Sequence, residues 1–381
     1  MTNTSGAAPA VLHNGYVHSP ADPLASAILM EGDRVVWVGS EEAAASIRDD
    51  RMTLVDLRGD LVTPGLVNSS VDLGDGDDSG QSLLRDYAAQ GIVAVVHTGV
   101  DIGPERSMAI QTGDNALPKI YHWPTVSSAE LVDGPRAMAI QWSQVTGVSP
   151  LVGVCVAVSA GETSATQLLG FLDVCMDFQL RPGLLMNTVQ DGPVALEALR
   201  LAAEERGQRQ FNGAGIRVNF GPSWTADSLR SFLASADGYA LTVCLDPETS
   251  VLAAEFYRRG LPVVLGSHDF GRHPWSGIAA LLNHPDQHER VSAKAAFTAA
   301  TRGAWRALGR GGHVTGQLVP GAEATYARWE VESLMVQAAS GTGASWSTDP
   351  RARTPLLPAL EGDTEPVCVS TAISGVPLYQ R

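Results

Sequence analysis

Charge is sparse in this sequence, and the usual signatures of cysteine pairing are missing. Of its 381 residues, 18% are charged, against roughly 25% in an average soluble protein. Acidic side chains outnumber basic ones, for a formal charge of −15. No cluster of Lys and Arg stands out, which argues against a nucleic-acid or anionic-membrane surface, since both need basic groups to neutralise phosphates. The four cysteines, Cys155, Cys175, Cys244 and Cys368, lie far apart without a Cys-x-x-Cys pair. They read as small buried hydrophobes of a reducing compartment. No stretch approaches the roughly 18 apolar residues of a membrane span. Met1 to Pro9 has neither the basic start nor the apolar core of a signal peptide. The expectation is a soluble cytoplasmic protein. No Gly-x-Gly-x-x-Gly follows a strand pattern, and no Walker-type Gly-Lys-Ser/Thr occurs, so the usual phosphate-cradling loops are absent.

What is present is ample apolar material, 44% of residues, together with 39 glycines and 22 prolines. That suits a loop-rich scaffold with a large core. From Leu61 onward, short β-branched runs alternate with segments of helical period. Eight runs read as strands: Leu61 to Val67, Ile92 to His97, Lys119 to Trp123, Gly153 to Val158, Pro182 to Asn187, Ile216 to Phe220, Tyr239 to Leu245 and Pro262 to Ser267. Helices are expected over Ser82 to Gln90, Thr163 to Phe178, Pro193 to Arg206, Ala226 to Ala234, Pro247 to Arg259 and Trp275 to Asn283. Eight such units suggest a closed barrel, although alternation by itself also permits a doubly wound open sheet. The two ends differ from this middle. Val11 to Gly39, Leu54 to Asp60 and Gln317 to Val336 carry short alternating strands, with Asn-Gly and Gly-Asp turns near the N-terminus. They suggest one β-rich domain built from both termini, residues 9–60 with 309–381, around an α/β middle of residues 61–308. Gly341 to Pro366 reads as an irregular surface strap.

Three segments carry a family resemblance: Gly32-Asp33-Arg34-Val35-Val36-Trp37-Val38-Gly39; Val55-Asp56-Leu57-Arg58-Gly59 followed by Val62-Thr63-Pro64-Gly65-Leu66-Val67; and Gly316-Gln317-Leu318-Val319-Pro320-Gly321-Ala322-Glu323-Ala324-Thr325-Tyr326. With Ala295 to Leu308 and Trp346 to Arg351, they make the chain resemble the amidohydrolase superfamily, and within it the actinobacterial amidohydrolase 3 group. The resemblance implies a TIM-type (β/α)8 barrel with a small composite β-sandwich. It also implies a divalent metal, such as zinc, that generates hydroxide for hydrolysis of non-peptide C–N bonds.

The ligand positions that the resemblance implies are mostly replaced here. The two strand-one histidines fall on Ser70 and Asp72, the strand-five histidine on Asn187 and the strand-six histidine on Phe220. Gly153 to Val158 has no lysine. Serine is a poor zinc ligand and phenylalanine is none. Strand eight keeps His268 and Asp269, of which the alternation of side chains would aim only one at the mouth. The expectation is therefore a protein without the family's metal: a catalytically impaired pseudoenzyme that binds a small molecule or a partner chain, such as a catalytically complete relative. The competing reading is an active hydrolase with a rebuilt or metal-free site, using Asp72, His268 and Asp269 for acid/base work. Zinc belongs only to that alternative. Ser70, His97, Asn187, Phe220 and Trp275 are the expected binding residues around the mouth. Trp123, Trp142 and Trp224 read equally well as pocket or packing. His273, His284 and His288 read as solvated loop residues, and the acidic loop over Gly74 to Gly80 lacks calcium-loop spacing. Homodimerisation is a further expectation from the resemblance.

Overall fold

The computed structural model describes residues 8–74, 77–111, 116–147, 149–246, 252–266, 273–309, 312–338, 345–347, 355–360 and 365–381. Its middle is a run of eight parallel strands, here β1 (Leu66–Val71), β2 (Ile92–His97), β3 (Lys119–His122), β4 (Gly153–Val158), β5 (Arg181–Met186), β6 (Arg217–Phe220), β7 (Thr242–Leu245) and β8 (Val263–Leu265). Strands β1 to β3 form one parallel sheet. Strands β4 to β8 form a second, with the short strand Thr125–Val126 at its edge. Neighbours in sequence are neighbours in space throughout.

The two sheets meet at both edges. Between β3 and β4, the His122 amide donates to the Pro150 carbonyl (2.9 Å), and the Val152 amide donates to the His122 carbonyl (2.8 Å). At the other edge Gly266, just past β8, lies so close to Ser70 of β1 that a Cβ on it would collide.

Among the described residues a helix follows each strand: α1 (Asp77–Ala89), α2 (Gly103–Gln111), α3 (Asp133–Ser143), α4 (Ala165–Asp177), α5 (Asp191–Arg206), α6 (Ala226–Ser235), α7 (Ala253–Arg258) and α8 (Pro274–Leu282), with a short additional helix, Gln208–Gly213, after α5. Helix α4 shows how the sequence sets them. Ser164 caps its start and exchanges hydrogen bonds with Gln167, which satisfies two otherwise orphaned amides. Leu168, Phe171, Leu172 and Cys175 then repeat at helical spacing and are buried. Helices α2 and α3 were not foreseen, because their apolar residues lack a clear helical period. Helix α1 begins at Asp77, inside the stretch read as an acidic loop; α7 begins at Ala253, after the non-helical backbone of Leu252, and residues 247–251 of the expected helix lie outside the described residues.

The strand expected over Leu61 to Val67 is two strands. Leu61–Pro64 pairs antiparallel with Tyr326–Glu330 near the other end of the chain, and β1 starts only at Leu66. Pro64 has no amide to donate, and Gly65 packs so tightly on Val93 that no side chain would fit, so the chain changes sheets there. A five-stranded sheet of Tyr16–Val17, Leu61–Pro64, Tyr326–Glu330, Val367–Ile373 and Val376–Gln380 thus interleaves both chain ends. A four-stranded sheet of Arg34–Gly39, Ala27–Glu31, Ala10–His13 and Thr53–Asp56 lies beside it in sequence. Leu12, Ile28, Val35, Leu57, Val62 and Leu318 fill the core they share. The expected irregular strap contains two short strands, Ser345–Ser347 and Leu357–Pro358, paired with Leu334–Ala338. Among the described residues no helix is long and apolar enough to cross a membrane.

Candidate functional site

Alternation along the strands divides the side chains into two populations. Val95, Ile120, Val154, Val156, Leu184, Met186, Val218 and Val243 pack with the helices. Val67, Ala94, Val96, Tyr121, Trp123, Cys155, Cys244 and Val264 form a separate cluster between the two sheets. The space at the carboxyl ends of the strands, above that inner cluster, is where a parallel α/β fold of this kind places its chemistry.

Strand β1 ends in Ser70 and Asp72. Ser70 is buried, and its Oγ lies 2.9 Å from Thr98 Oγ1 past the end of β2. Asp72 is exposed. Its Oδ1 accepts the Gly74 amide at 3.0 Å and rests against Gly99, where a side chain would displace it.

His97 lies on the helix-facing side of β2 and is wholly buried. Its Nδ1 accepts the Leu73 amide at 3.2 Å, which assigns the ring proton to Nε2, and Nε2 donates to the Val100 carbonyl at 2.8 Å. Burial holds the imidazole below its ordinary pKa, opposed by the Val100 carbonyl and by Asp72 and Asp101. Although Asp72 Oδ1 is 3.9 Å from Nδ1, the neutral ring makes this no ion pair. His97 pins a turn. His122, at the end of β3, is its neighbour at 5.7 Å between ring centroids. His122 Nε2 lies 2.7 Å from Ser107 Oγ of α2, and its ring packs on Trp142 of α3 at 4.4 Å. Burial, followed by the His97 neighbour, keeps its pKa well below the ordinary value. Both strand-end imidazoles therefore face the helices, away from the inner space.

Asn187 is exposed just past β5, where its carbonyl accepts the Ser223 hydroxyl at 2.8 Å. Phe220 does not reach the mouth. Its ring packs among Trp224, Phe232 and Phe256 at 5.0, 5.4 and 6.0 Å, on the helix-facing side of β6. The inner position on β6 belongs to its neighbour Asn219. Trp275 is likewise remote from the strand ends. It stacks on Phe297 and meets the edge of Trp329, fixing α8 to the helix Ala293–Ala299 and to the C-terminal sheet. The tryptophans read as candidates form no common aromatic pocket: Trp224 Nε1 donates to the Met186 carbonyl, Trp142 covers His122, and Trp123 enters the inner cluster. His268 and Asp269 lie outside the described residues. His273, at the foot of α8, is 3.7 Å from a Glu365 carboxylate oxygen, and His284 turns back on the Asp286 backbone at the surface.

The residue that sequence reasoning missed is Arg217. It is 2% exposed and crosses from β6 of one sheet to β1 of the other. Its Nη1 donates to the Ser69 carbonyl at 2.7 Å, its Nε donates to Asn219 Oδ1 at 3.0 Å, and its Cζ lies 5.3 Å from the centroid of the Trp123 ring. A signal was available: in Ile216-Arg217-Val218-Asn219-Phe220 the polar residues alternate with apolar ones, so both point to the same side.

Among the described residues this donor set does not fit a catalytic zinc. The described strand ends offer a hydroxyl tied to Thr98, amides at Asn187 and Asn219, and the carboxylates of Asp72 and Asp246, with no imidazole aimed inward, where zinc takes thiolate, imidazole and carboxylate. The Asn219 oxygen is already engaged by a cation that would repel a divalent ion. Among the described residues no group of three or more His, Cys, Asp and Glu side chains converges. A separate cavity of about 70 Å³ lies on the outer side of the β1/β8 edge, lined by Leu66, Asn68, Leu265, His273, Ser276 and Ala280 among others.

Neither protein-family models nor curated proteins match the sequence. Solved structures do match in fold. An amidohydrolase from an environmental sample of the Sargasso Sea superposes with a TM-score of 0.66 at 13% identity, over 98% of this chain and 93% of that one. N-isopropylammelide isopropylaminohydrolase from Burkholderia multivorans gives 0.65 at 14% identity, over 97% and 98%. A zinc-bound adenosine deaminase from Xanthomonas campestris gives 0.61 at 12% identity, over 97% and 92%. The fold is that of the amidohydrolases, from end to end of the chain.

Proposed function

We propose that this chain, built on the amidohydrolase fold, has its eight strands closed into a TIM-type barrel capped by a sandwich of both termini, and that it has exchanged metal-dependent hydrolysis for binding. In this reading it is a pseudoenzyme of the hydrolases that cleave non-peptide C–N bonds, and its mouth receives a small molecule. The observation that carries the reading is the donor set at the strand ends. In this reading Ser70, Asn187 and Asn219 take the places of the family's ligands, while His97 and His122 are turned outward and held neutral.

Metal analysis of the purified protein tests this directly. The expected result is substoichiometric zinc, iron and manganese, unchanged in Asp72→Ala and His268→Ala. Stoichiometric metal that either substitution removes would overturn the reading and favour a rebuilt hydrolase site around Asp72 and His268. The exposure of Asp72 at the end of β1 keeps that second reading in play. Turnover of amides or ureas that Asp72→Asn abolishes would likewise establish it.

A further inference from the structure

On the inner side of the two sheets, among the described residues, a buried positive charge has no carboxylate in ion-pair contact. Arg217 is a buried guanidinium, and buried charges are ordinarily paired. Its neighbours are neutral: a carbonyl, an amide oxygen and the face of Trp123. Cys155 and Cys244 flank it, yet burial pushes the Cys155 thiol up to about 12 and raises that of Cys244 as well, each only partly offset by Arg217. Neither supplies a thiolate. Among the described residues no carboxylate forms an ion pair with it. Two N–H donors in this cluster also lack an acceptor, Arg217 Nη2 and Trp123 Nε1, both buried. An unpaired buried donor costs roughly 1–3 kcal/mol, more when charged. An acceptor of opposite charge answers all three deficits together, whereas water answers only the hydrogen bonds. The indole is held in place by small residues, since Gly153 and Gly183 are the positions on β4 and β5 where a side chain would press on it.

We propose that Arg217 is an anion receptor: the inner space beneath the strand ends binds one small carboxylate, free or as part of a larger ligand, through Arg217 Nη2 and Trp123 Nε1. The guanidinium then stands as the site's fixed cation, linking β1 and β6, two of the strands from which the family draws its metal ligands. The inference rests on the mouth being a binding site, and it names the chemical class of what binds there.

Formate is the smallest probe of this class. Line broadening of carbon-labelled formate and the shift in melting temperature are measured at constant ionic strength, with chloride as the control salt. Wild type is expected to bind saturably and to gain melting temperature with formate. Asn219→Asp places a carboxylate where the amide oxygen already accepts from Arg217 Nε. That variant is expected to fold, to melt higher than wild type in formate-free buffer, and to bind formate at least about tenfold more weakly, equivalent to roughly 1.4 kcal/mol. Arg217→Met is expected to lose the response altogether; if it fails to fold, Asn219→Asp still decides. Absence of formate binding in wild type, or undiminished binding in Asn219→Asp, overturns the proposal. Metal content measured on the same preparations separates this outcome from failure of the binding-protein reading, because a stoichiometric metal would appear there whatever formate does.

Discussion

Individual histidines carry much of what distinguishes this molecule, and what they do is decided by burial. His18 donates from Nδ1 to the Leu356 carbonyl at 2.9 Å and packs on Phe297. Burial lowers its pKa from 6.5 to about 4, opposed by the Leu356 carbonyl and assisted by Lys294. The unfolded chain takes up this proton below its ordinary pKa, while the folded chain refuses it until about pH 4. The His18 contribution is therefore complete above about pH 6.5 and declines as pH falls through that window. His97 and His122 act in the same direction. Unfolding free energies in urea between about pH 7 and about pH 4.5 are expected to fall in wild type and to fall less in His18→Phe. A wild-type stability that is flat over this range would contradict the assignment. Residue identity was legible in the sequence, but side-chain direction was not. Phe220 and Asn219 differ by one position, and a one-residue slip exchanges the two faces of a strand.

At the level of elements, short glycine contacts decide where strands begin and what covers them. Gly91, just before β2, has φ of +75°, and a Cβ there would run into the Trp329 ring. Trp329 in turn donates from Nε1 to Thr63 Oγ1 at 2.9 Å, tying the C-terminal strand to the strand that precedes β1. Gly91→Ala combines an unfavourable backbone with overpacking and is expected to cost about 2–4 kcal/mol, measured by chemical denaturation. Increased hydrogen exchange should concentrate in Tyr326–Glu330 and Leu61–Pro64. The β/α alternation and most of the strand positions were legible beforehand, because buried parallel strands leave continuous apolar runs. The break at Pro64 and Gly65 was not, since Leu61 to Val67 is apolar on both sides of it and only pairing partners distinguish its two halves.

Taken whole, the molecule is fastened by contacts between its two ends. Arg328 donates from Nε to Asp60 Oδ2 at 2.6 Å and from Nη2 to the Asp56 and Leu57 carbonyls. Both partners of the ion pair are about 15% exposed, so screening weakens it less than a surface pair. Asp60→Ala leaves the guanidinium partly buried without its counter-charge. It is expected to destabilise the fold by about 2–3 kcal/mol, read as a lower melting temperature in calorimetry. A change indistinguishable from zero would show that the two carbonyls suffice.

The sequence by itself determined the class of the fold. It did so through apolar periodicity and through the residues at both ends that resemble amidohydrolases. Those are properties of composition and order. The tertiary structure decided that His97 and His122 serve the helix layer, that Asn219 holds the inner place on β6, and that a guanidinium crosses from one sheet to the other. Such facts depend on which face of a strand meets which neighbour across hundreds of residues. The field at a buried site is the sum over those neighbours, and order along the chain leaves that sum open.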